Sequence, residues 1–371
     1  MREYALVVLV SAAVTFLVTP LITRLSVRVG AMAAVRDRDV HAIPTPRLGG
    51  LGMYAGVLAG LLVAQHLPVL SNVFDYSEPL AIVLAGGLIT ALGAIDDKWS
   101  LDALTKLSGQ IVAAGAMTLA GLRLAFLALP GVSQSLSLTD DVSVPLTVLL
   151  VVLLVNAVNF IDGLDGLAAG VVAIAAGAQF TFSYNLSADY NYVRAQPGAL
   201  IAAVCLGVCL GFLPHNFSPA KLFMGDSGSM LLGLLLAASA VSTTGQFDIA
   251  SARSPGLNLT LPLVFPVVVV ALVLAVPFID LVLAVVRRTR AGRSPFAPDK
   301  MHLHHRLLEI GHSQRRAVLL MYAWSALIGF GGVAVSLSSG PALPLSLAAG
   351  LAIIVLIVSS LPRLRAARTH R

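Results

Sequence analysis

Charge is scarce in this chain. Of its 371 residues only 11% are Asp, Glu, Lys or Arg, against about 25% in a soluble domain. Hydrophobic residues make up 57% and the mean hydropathy is +0.90. An ordinary soluble protein is excluded, and an integral membrane protein is expected. Cysteine is almost missing too. Cys205 and Cys209 stand four apart in an apolar run and read as buried small residues, which excludes a disulfide framework and a cysteine metal site. No sequence repeat and no low-complexity segment is visible, so residues 1–371 read as one polytopic transmembrane domain. The GxxxxGK[ST] pattern of a phosphate-binding P-loop is absent. No convincing small-residue cleavage site follows the first apolar run, which reads as a membrane helix rather than a signal peptide.

What the chain has is uncharged runs at intervals. Eleven candidate spans cover 4–23, 48–70, 80–95, 107–122, 144–159, 166–182, 198–214, 228–241, 261–286, 317–338 and 341–361. The expected fold is therefore all-α, with about eleven transmembrane helices. Several runs hold only about 16 residues, or roughly 24 Å of helix, short of a ~30 Å hydrocarbon core. Either their ends extend into the polar flanks or the helices stop early around a water-filled cavity. All but four of the 24 Lys and Arg fall on alternate connections or in the tail 362–371; Arg2, Arg123, Arg194 and Arg253 are the exceptions. The basic side is expected to be cytoplasmic, with the N-terminus outside and the C-terminus inside. The net charge of +6 thus gathers on the inner face. It suits anionic lipid or a phosphorylated substrate; no nucleic-acid partner is expected.

The inner connections, about 24–47, 96–106, 156–166, 214–228 and 287–316, carry the chemistry. Residues 156–170 read Asn-Ala-Val-Asn-Phe-Ile-Asp-Gly-Leu-Asp-Gly-Leu-Ala-Ala-Gly, between two charge-free segments. Asn156, Asn159, Asp162 and Asp165 are costly there unless something polar lies between them. Gly163 and Gly166 invite a helix break that would re-aim the carboxylates, as in a transporter's broken helix. Asp96 and Asp97 close another apolar run; adjacent helical residues point about 100° apart, so one can face inward and the other a neighbour. With Lys98, Asp102 and Lys106 following, the cluster also reads as a solvated helix end. Residues 214–228 contain Asn216, Phe223, Asp226 and Ser227; Ser227 is a candidate N-cap and Phe223 could stack on a flat ring. The first connection holds Arg38, His41 and Arg47 around Pro44 and Pro46, an arrangement open to phosphate binding or to plain inner-face charge. His302, His304, His305 and Arg306 allow three readings: zinc, a solvated basic helix, or phosphate recognition. Asp280, inside an apolar run, is a functional candidate by its depth. Carboxylates with amides suit a hard cation, and Mg²⁺ is commonly shared with substrate phosphates. Arg and His suit phosphate oxygens.

These motifs carry a resemblance. Asp96-Asp97, the 156–168 stretch, Phe223-Met-Gly-Asp-Ser-Gly-Ser and His302-Leu-His-His-Arg306 resemble the signature set of the polyprenyl-phosphate N-acetylhexosamine-1-phosphate transferases. The likeness runs from about His41 to Arg306. The histidine pattern and Pro-Thr-Pro-Arg-Leu-Gly-Gly are more similar to the N-acetylglucosamine branch than to the phospho-N-acetylmuramoyl-pentapeptide transferases. One departure is Asp39-Val40 where the branch often carries Arg-Lys, which passes a basic role to Arg38.

The resemblance implies that a polyprenyl phosphate oxygen attacks the β-phosphorus of UDP-N-acetylglucosamine and that UMP leaves. It implies Mg²⁺, with Mn²⁺ as a substitute, held by Asp226 first, with Asn156 or Asn159 and Asp96 or Asp97 nearby. Phe223 would lie against uracil, and Asp162 and Asp165 would order the nucleotide. Asn216, Arg38, His41 and Arg47 belong to the substrate set. His302, His304, His305 and Arg306 would hold phosphate or sugar, with His302 also counted among the catalytic residues beside Asp96, Asp97, Asp162 and Asp165. The site would open at the cytoplasmic face of the plasma membrane, and a second copy of the chain is kept as a partner candidate. The pentapeptide branch and a cation-coupled transporter are the alternatives.

Overall fold

The computed structural model describes residues 1–33, 44–127, 136–188, 192–244, 289, 313–338 and 342–369. The expected span 261–286 and Asp280, Arg38, His41, His302, His304, His305 and Arg306 lie outside these residues.

Helices make up nearly all of what is described: α1 (Arg2–Val29), α2 (Gly49–Gln65), α3 (Glu78–Trp99), α4 (Ala103–Leu119), α5 (Asp140–Ile161), α6 (Leu167–Ala188), α7 (Gln196–Asn216), α8 (Gly225–Thr244), α9 (Gln314–Leu337) and α10 (Ala342–Thr369). Two-residue strands β1 (Phe126–Leu127) and β2 (Leu136–Ser137) pair antiparallel, Phe126 opposite Ser137. Among the described residues seven helices are long and apolar enough to cross a membrane, so the chain is a multi-pass membrane protein. Every expected span within the described residues falls on one of these ten helices. The short runs are lengthened by their polar flanks. The 80–95 run is part of a 22-residue helix that takes in Asp96, Asp97 and Lys98, long enough at about 33 Å to span the core.

The central helix is α8. It is apolar all round, the pattern of a helix with no outward face. Every residue of it is buried except Asp226. Helices α2, α3, α5 and α7 surround it. Close approach is made by small residues, since without a hydrophobic drive between membrane helices packing depends on backbone proximity. A Cβ on Gly233 would meet the backbone of Val155, and one on Gly50 or Gly93 would overlap the backbone at Ser227. Helix α1 seats on α7 in the same way, where a Cβ on Gly211 would overlap the carbonyl oxygen of Ala12. The obstacle is backbone, so it cannot rotate away. Gly211→Val should therefore lower the unfolding midpoint in detergent, by an overpacking cost of about 1–3 kcal/mol. An unchanged midpoint would show that α1 can shift without loss.

Chain direction alternates, and this gathers the polar segments. The ends of α1, α3, α5 and α7 and the starts of α2, α4, α6 and α8 meet at one end of the bundle. Residues 31–33 run antiparallel to 45–47 there, with Ala33 N–H donating to Thr45 O at 2.8 Å and Arg47 N–H to Ala31 O at 3.0 Å. The same strand-like segment then joins the turn before α8. Phe223 N–H donates to Pro46 O at 2.9 Å, and Gly50 N–H to Met224 O at 3.0 Å. Between these bonds Leu48 takes φ +79°, a left-handed conformation that a branched residue adopts only when its surroundings impose it.

Candidate active site

The site begins with the N-terminus of α8. A helix start leaves backbone N–H groups without intrahelical partners. Here the partner comes from another helix. Asp97, at the end of α3 and only 6% exposed, accepts from Asp226 N–H at 2.9 Å on Oδ1. Its Oδ2 accepts from Ser227 N–H at 3.2 Å and from the Ser227 hydroxyl at 2.9 Å. Ser227 is thus not the N-cap: α8 starts two residues earlier, and a carboxylate from α3 does the capping, favoured also by the helix dipole. Gly225 has φ +67°, and a side chain on it would run into the Asp97 carboxylate.

Asp96 turns the other way. It accepts from Leu101 N–H at 2.6 Å and pairs with Lys106 Nζ at 3.1 Å. The adjacent acids therefore diverge, one inward and one toward α4, as their helical offset requires. Lys106 also bonds Asp226 Oδ2, so a single ammonium from α4 joins carboxylates of α3 and α8. The other Asp226 oxygen accepts from Asn159 Nδ2 at 3.2 Å, and that amide also donates to Ser229 Oγ at 2.8 Å. Asn156, one turn deeper on α5, donates to Gln110 Oε1 at 2.7 Å and to Val152 O at 2.8 Å.

The helix break invited by Gly163 and Gly166 is present: α5 ends at Ile161 and α6 begins at Leu167. Gly166 takes φ +75°, which costs glycine little. Asp165 is buried and accepts from Ala220 N–H at 3.0 Å. Asn216 is buried as well; it accepts from Gly166 N–H at 3.1 Å and donates to Leu222 O at 3.0 Å. The loops 162–166 and 216–222 are thereby tied together. Asp162 is half-buried, and among the described residues its carboxylate makes no hydrogen bond. Burial, with Asp97 and Asp165 adding negative charge against the opposing Arg47, pushes this carboxyl up to about 7. That influence puts Arg47, Asp97, Asp162 and Asp165 in one electrostatic neighbourhood. Phe223 is half-buried in the turn paired with Pro46, next to Arg47 along the backbone.

The arrangement holds a positive charge among carboxylates and amides, and at its edge it presents an arginine and an acid that makes no hydrogen bond among the described residues. That is a surface built for an anion and its counter-cations.

The Glycosyl transferase family 4 model matches residues 79–244, a stretch that holds Asp96, Asp97, the 156–170 segment and Asp226. The chain is 49% identical to the decaprenyl-phosphate N-acetylglucosaminephosphotransferase of Mycolicibacterium smegmatis, over 98% of this chain and 90% of that protein. The protein of the same name from Mycobacterium tuberculosis is 46% identical, again over 98% and 90%. The phospho-N-acetylmuramoyl-pentapeptide-transferase of Mycobacterium ulcerans is 31% identical over 90% of this chain and 97% of that protein. The chain belongs to the polyprenyl-phosphate N-acetylhexosamine-1-phosphate transferases.

Two residues of this transferase site, Lys106 and Gln110, are not singled out by its sequence motifs, and Ser229 enters them only as the last residue of Phe223-Met-Gly-Asp-Ser-Gly-Ser. Lys106 counts in the sequence as one of several charges at a helix end, yet it is the hub between Asp96 and Asp226. Gln110 and Ser229 hold the two asparagines. A signal for the first two exists. Asp102 accepts from Leu104 N–H and Thr105 N–H, both at 3.0 Å, and so caps α4. Lys106 and Gln110 follow it at intervals of four, a polar stripe on an otherwise apolar helix. Such a stripe faces the protein interior rather than lipid. For the transferase's Asp97 the sequence gives position but not partner, because Ser227 lies 130 residues away.

Proposed function

We propose that this protein transfers N-acetylglucosamine 1-phosphate from UDP-N-acetylglucosamine to a polyprenyl phosphate, releasing UMP. One observation carries the reading. Asp96, Asp97, Asn159 and Asp226, from three helices, converge with Lys106 at one end of the bundle, in a chain 46% and 49% identical to proteins named for this transfer. The lower identity to the pentapeptide transferase, 31%, favours the N-acetylglucosamine branch.

Two anions must meet, so the demand on the protein is electrostatic and positional. The residues fit a Mg²⁺ ion. Asp96 and Asp226 already share one ammonium, so their oxygens are spaced around a positive charge. Among the described residues no cluster of three His, Cys, Asp or Glu could hold an ion alone. That donor set suits Mg²⁺, which takes one or two carboxylates and completes its shell with water and substrate phosphates. Asp226 and Asp96 would hold it, with Asn159 fixing the Asp226 rotamer. When bound, the ion neutralises the diphosphate and the departing UMP. Asp97 holds the first turn of α8 and so aims Asp226. Arg47 and Lys106 offer cations to phosphate oxygens, and Phe223 offers a ring face to uracil. The nucleophile needs little help: a phosphate monoester has a second pKa of about 6 and is largely ionised at neutral pH.

Eleven spans, an outer N-terminus and an inner C-terminus agree with the Lys and Arg asymmetry. On that orientation the site opens to the cytoplasm at the plasma membrane, where a nucleotide sugar is available.

Purified protein with Mg²⁺ and a polyprenyl phosphate should release UMP from UDP-N-acetylglucosamine and not from UDP-N-acetylmuramoyl-pentapeptide. EDTA should stop release, and Mg²⁺, or less well Mn²⁺, should restore it. Release from the pentapeptide donor alone would move the chain to the other branch, and no UMP from either would end the proposal.

A further inference from the structure

The break between α5 and α6 is held from a third helix. Tyr322, on α9, donates its hydroxyl to Gly166 O. The same carbonyl accepts from Gly170 N–H at 3.0 Å inside α6. At the other backbone polar group of this residue, Gly166 N–H donates to Asn216 Oδ1 at 3.1 Å. The Tyr322 ring lies close enough to α6 that a Cβ on Gly170 would overlap it. The start of α9 is tied to the neighbouring loop as well, with Arg315 Nε donating to Ser218 O at 2.9 Å. Gly166 is thus clamped at both ends of its backbone, four residues after Asp162 and one after Asp165.

Clamping matters because of what the turn presents. Asp165 is tied to Ala220 N–H. Asp162 is half-buried, its carboxylate makes no hydrogen bond among the described residues, and it feels Asp97 and Arg47 across the site. Among the described residues only Leu167 N–H to Leu164 O at 3.0 Å is a backbone hydrogen bond closed within 162–167; Asp162 N–H to Asn159 O at 3.3 Å and Gly163 N–H to Ile161 O at 2.7 Å reach back into the end of α5. A turn with so little internal bonding takes its position from outside. A sub-ångström misplacement of a binding group is felt in substrate handling.

We propose that Tyr322 is a positioning residue for the UDP-sugar: its hydroxyl fixes the 162–166 turn, and with it the Asp162 carboxylate, against the nucleotide side of the site. The inference rests on the transfer reaction proposed above.

The test is Tyr322→Phe, which keeps the ring against Gly170 and removes only the hydroxyl. Loss of one neutral hydrogen bond should raise KM for UDP-N-acetylglucosamine about fivefold. KM for the polyprenyl phosphate should stay within about twofold, and the unfolding midpoint should move by about 2 °C or less. A purely structural tyrosine would instead lower the folded fraction and the apparent kcat while leaving both KM values alone; that result overturns the proposal, as does an equal rise in both. Should turnover be too slow to measure, UDP affinity by direct titration gives the same decision: about fivefold weaker supports positioning, and unchanged refutes it. UMP release by the unaltered protein is measured alongside. Its absence is a failure of the proposed reaction, whereas its presence with an unshifted variant is a failure of this inference alone.

Discussion

Asp97→Asn should reduce UMP release by up to about 100-fold, and raising the pH to 9 should not restore it. The carboxylate serves three donors with two oxygens: Asp226 N–H, Ser227 N–H and the Ser227 hydroxyl. An asparagine keeps one acceptor and turns an NH₂ group toward the donors it no longer serves. The site is 6% exposed, so water cannot repair the loss. A buried donor left unsatisfied costs about 1–3 kcal/mol, and about 3 kcal/mol is a factor of roughly 100. Relief comes by moving the first turn of α8, which carries Asp226. The effect is therefore twofold: a lower unfolding midpoint, and a misplaced Asp226 in what stays folded. A longer acid does not help, because Gly225 already lies against the carboxylate. The pH arm separates this account from proton removal. If Asp97 were a general base, alkali would ionise the acceptor phosphate fully and bypass it. Full recovery at pH 9 would favour the base; a flat, low profile favours positioning.

Most of the scaffold was legible because its signal is local. Charge-free runs mark helices, and α3, α5 and α6 lie where those runs are, extended by one turn of polar flank. The break at Gly163 and Gly166 was legible for the same reason, since two glycines between acids at the end of an apolar run leave a helix little to continue with. The convergence of Asp96, Asp97, Asn159 and Asp226 at one end follows from counting spans, because alternate connections share a side. What the chain order hides is pairing across helices. Ser227 looks like its own helix cap from neighbours alone, yet the capping oxygen belongs to Asp97 on α3. Lys106 looks like surface charge, yet it reaches two acids on two other helices. The strand-like ladder between 46–50 and 223–224 has no periodic signature at all, being only a few residues on each side. The cap and the ladder depend on three-dimensional proximity allowed by glycine contacts at Gly50, Gly93 and Gly225. Sequence marks those glycines but does not say what lies against them.

Asp226→Asn should show the opposite balance: activity falls by about 1,000-fold while the fold is nearly untouched. Asp226 is the single residue of α8 that escapes burial, and its side chain is 24% exposed against 20% for Lys106. An ion pair this open to solvent contributes about 1 kcal/mol or less to stability. Its partners also survive the change. Lys106 keeps Asp96 at 3.1 Å, and an asparagine oxygen can still accept from Asn159, so no buried donor is stranded. The unfolding midpoint should therefore shift by only a few degrees, about 4 °C at most. Catalysis has no such reserve. The variant removes a full negative charge from the carboxylate proposed to hold Mg²⁺ against the diphosphate, and a well-aimed electrostatic group of this kind accounts for about 10²–10³ in rate. The Mg²⁺ concentration needed for half-maximal release should rise as well, because one hard ligand is lost. Asp97→Asn and Asp226→Asn thus form a pair with different signatures, stability with activity in the first and activity with metal dependence in the second. Retention of a tenth of the activity by Asp226→Asn, with an unchanged Mg²⁺ requirement, would remove Asp226 from the metal position. The Asp96 carboxylate on the far side of Lys106 would then be the ligand to test.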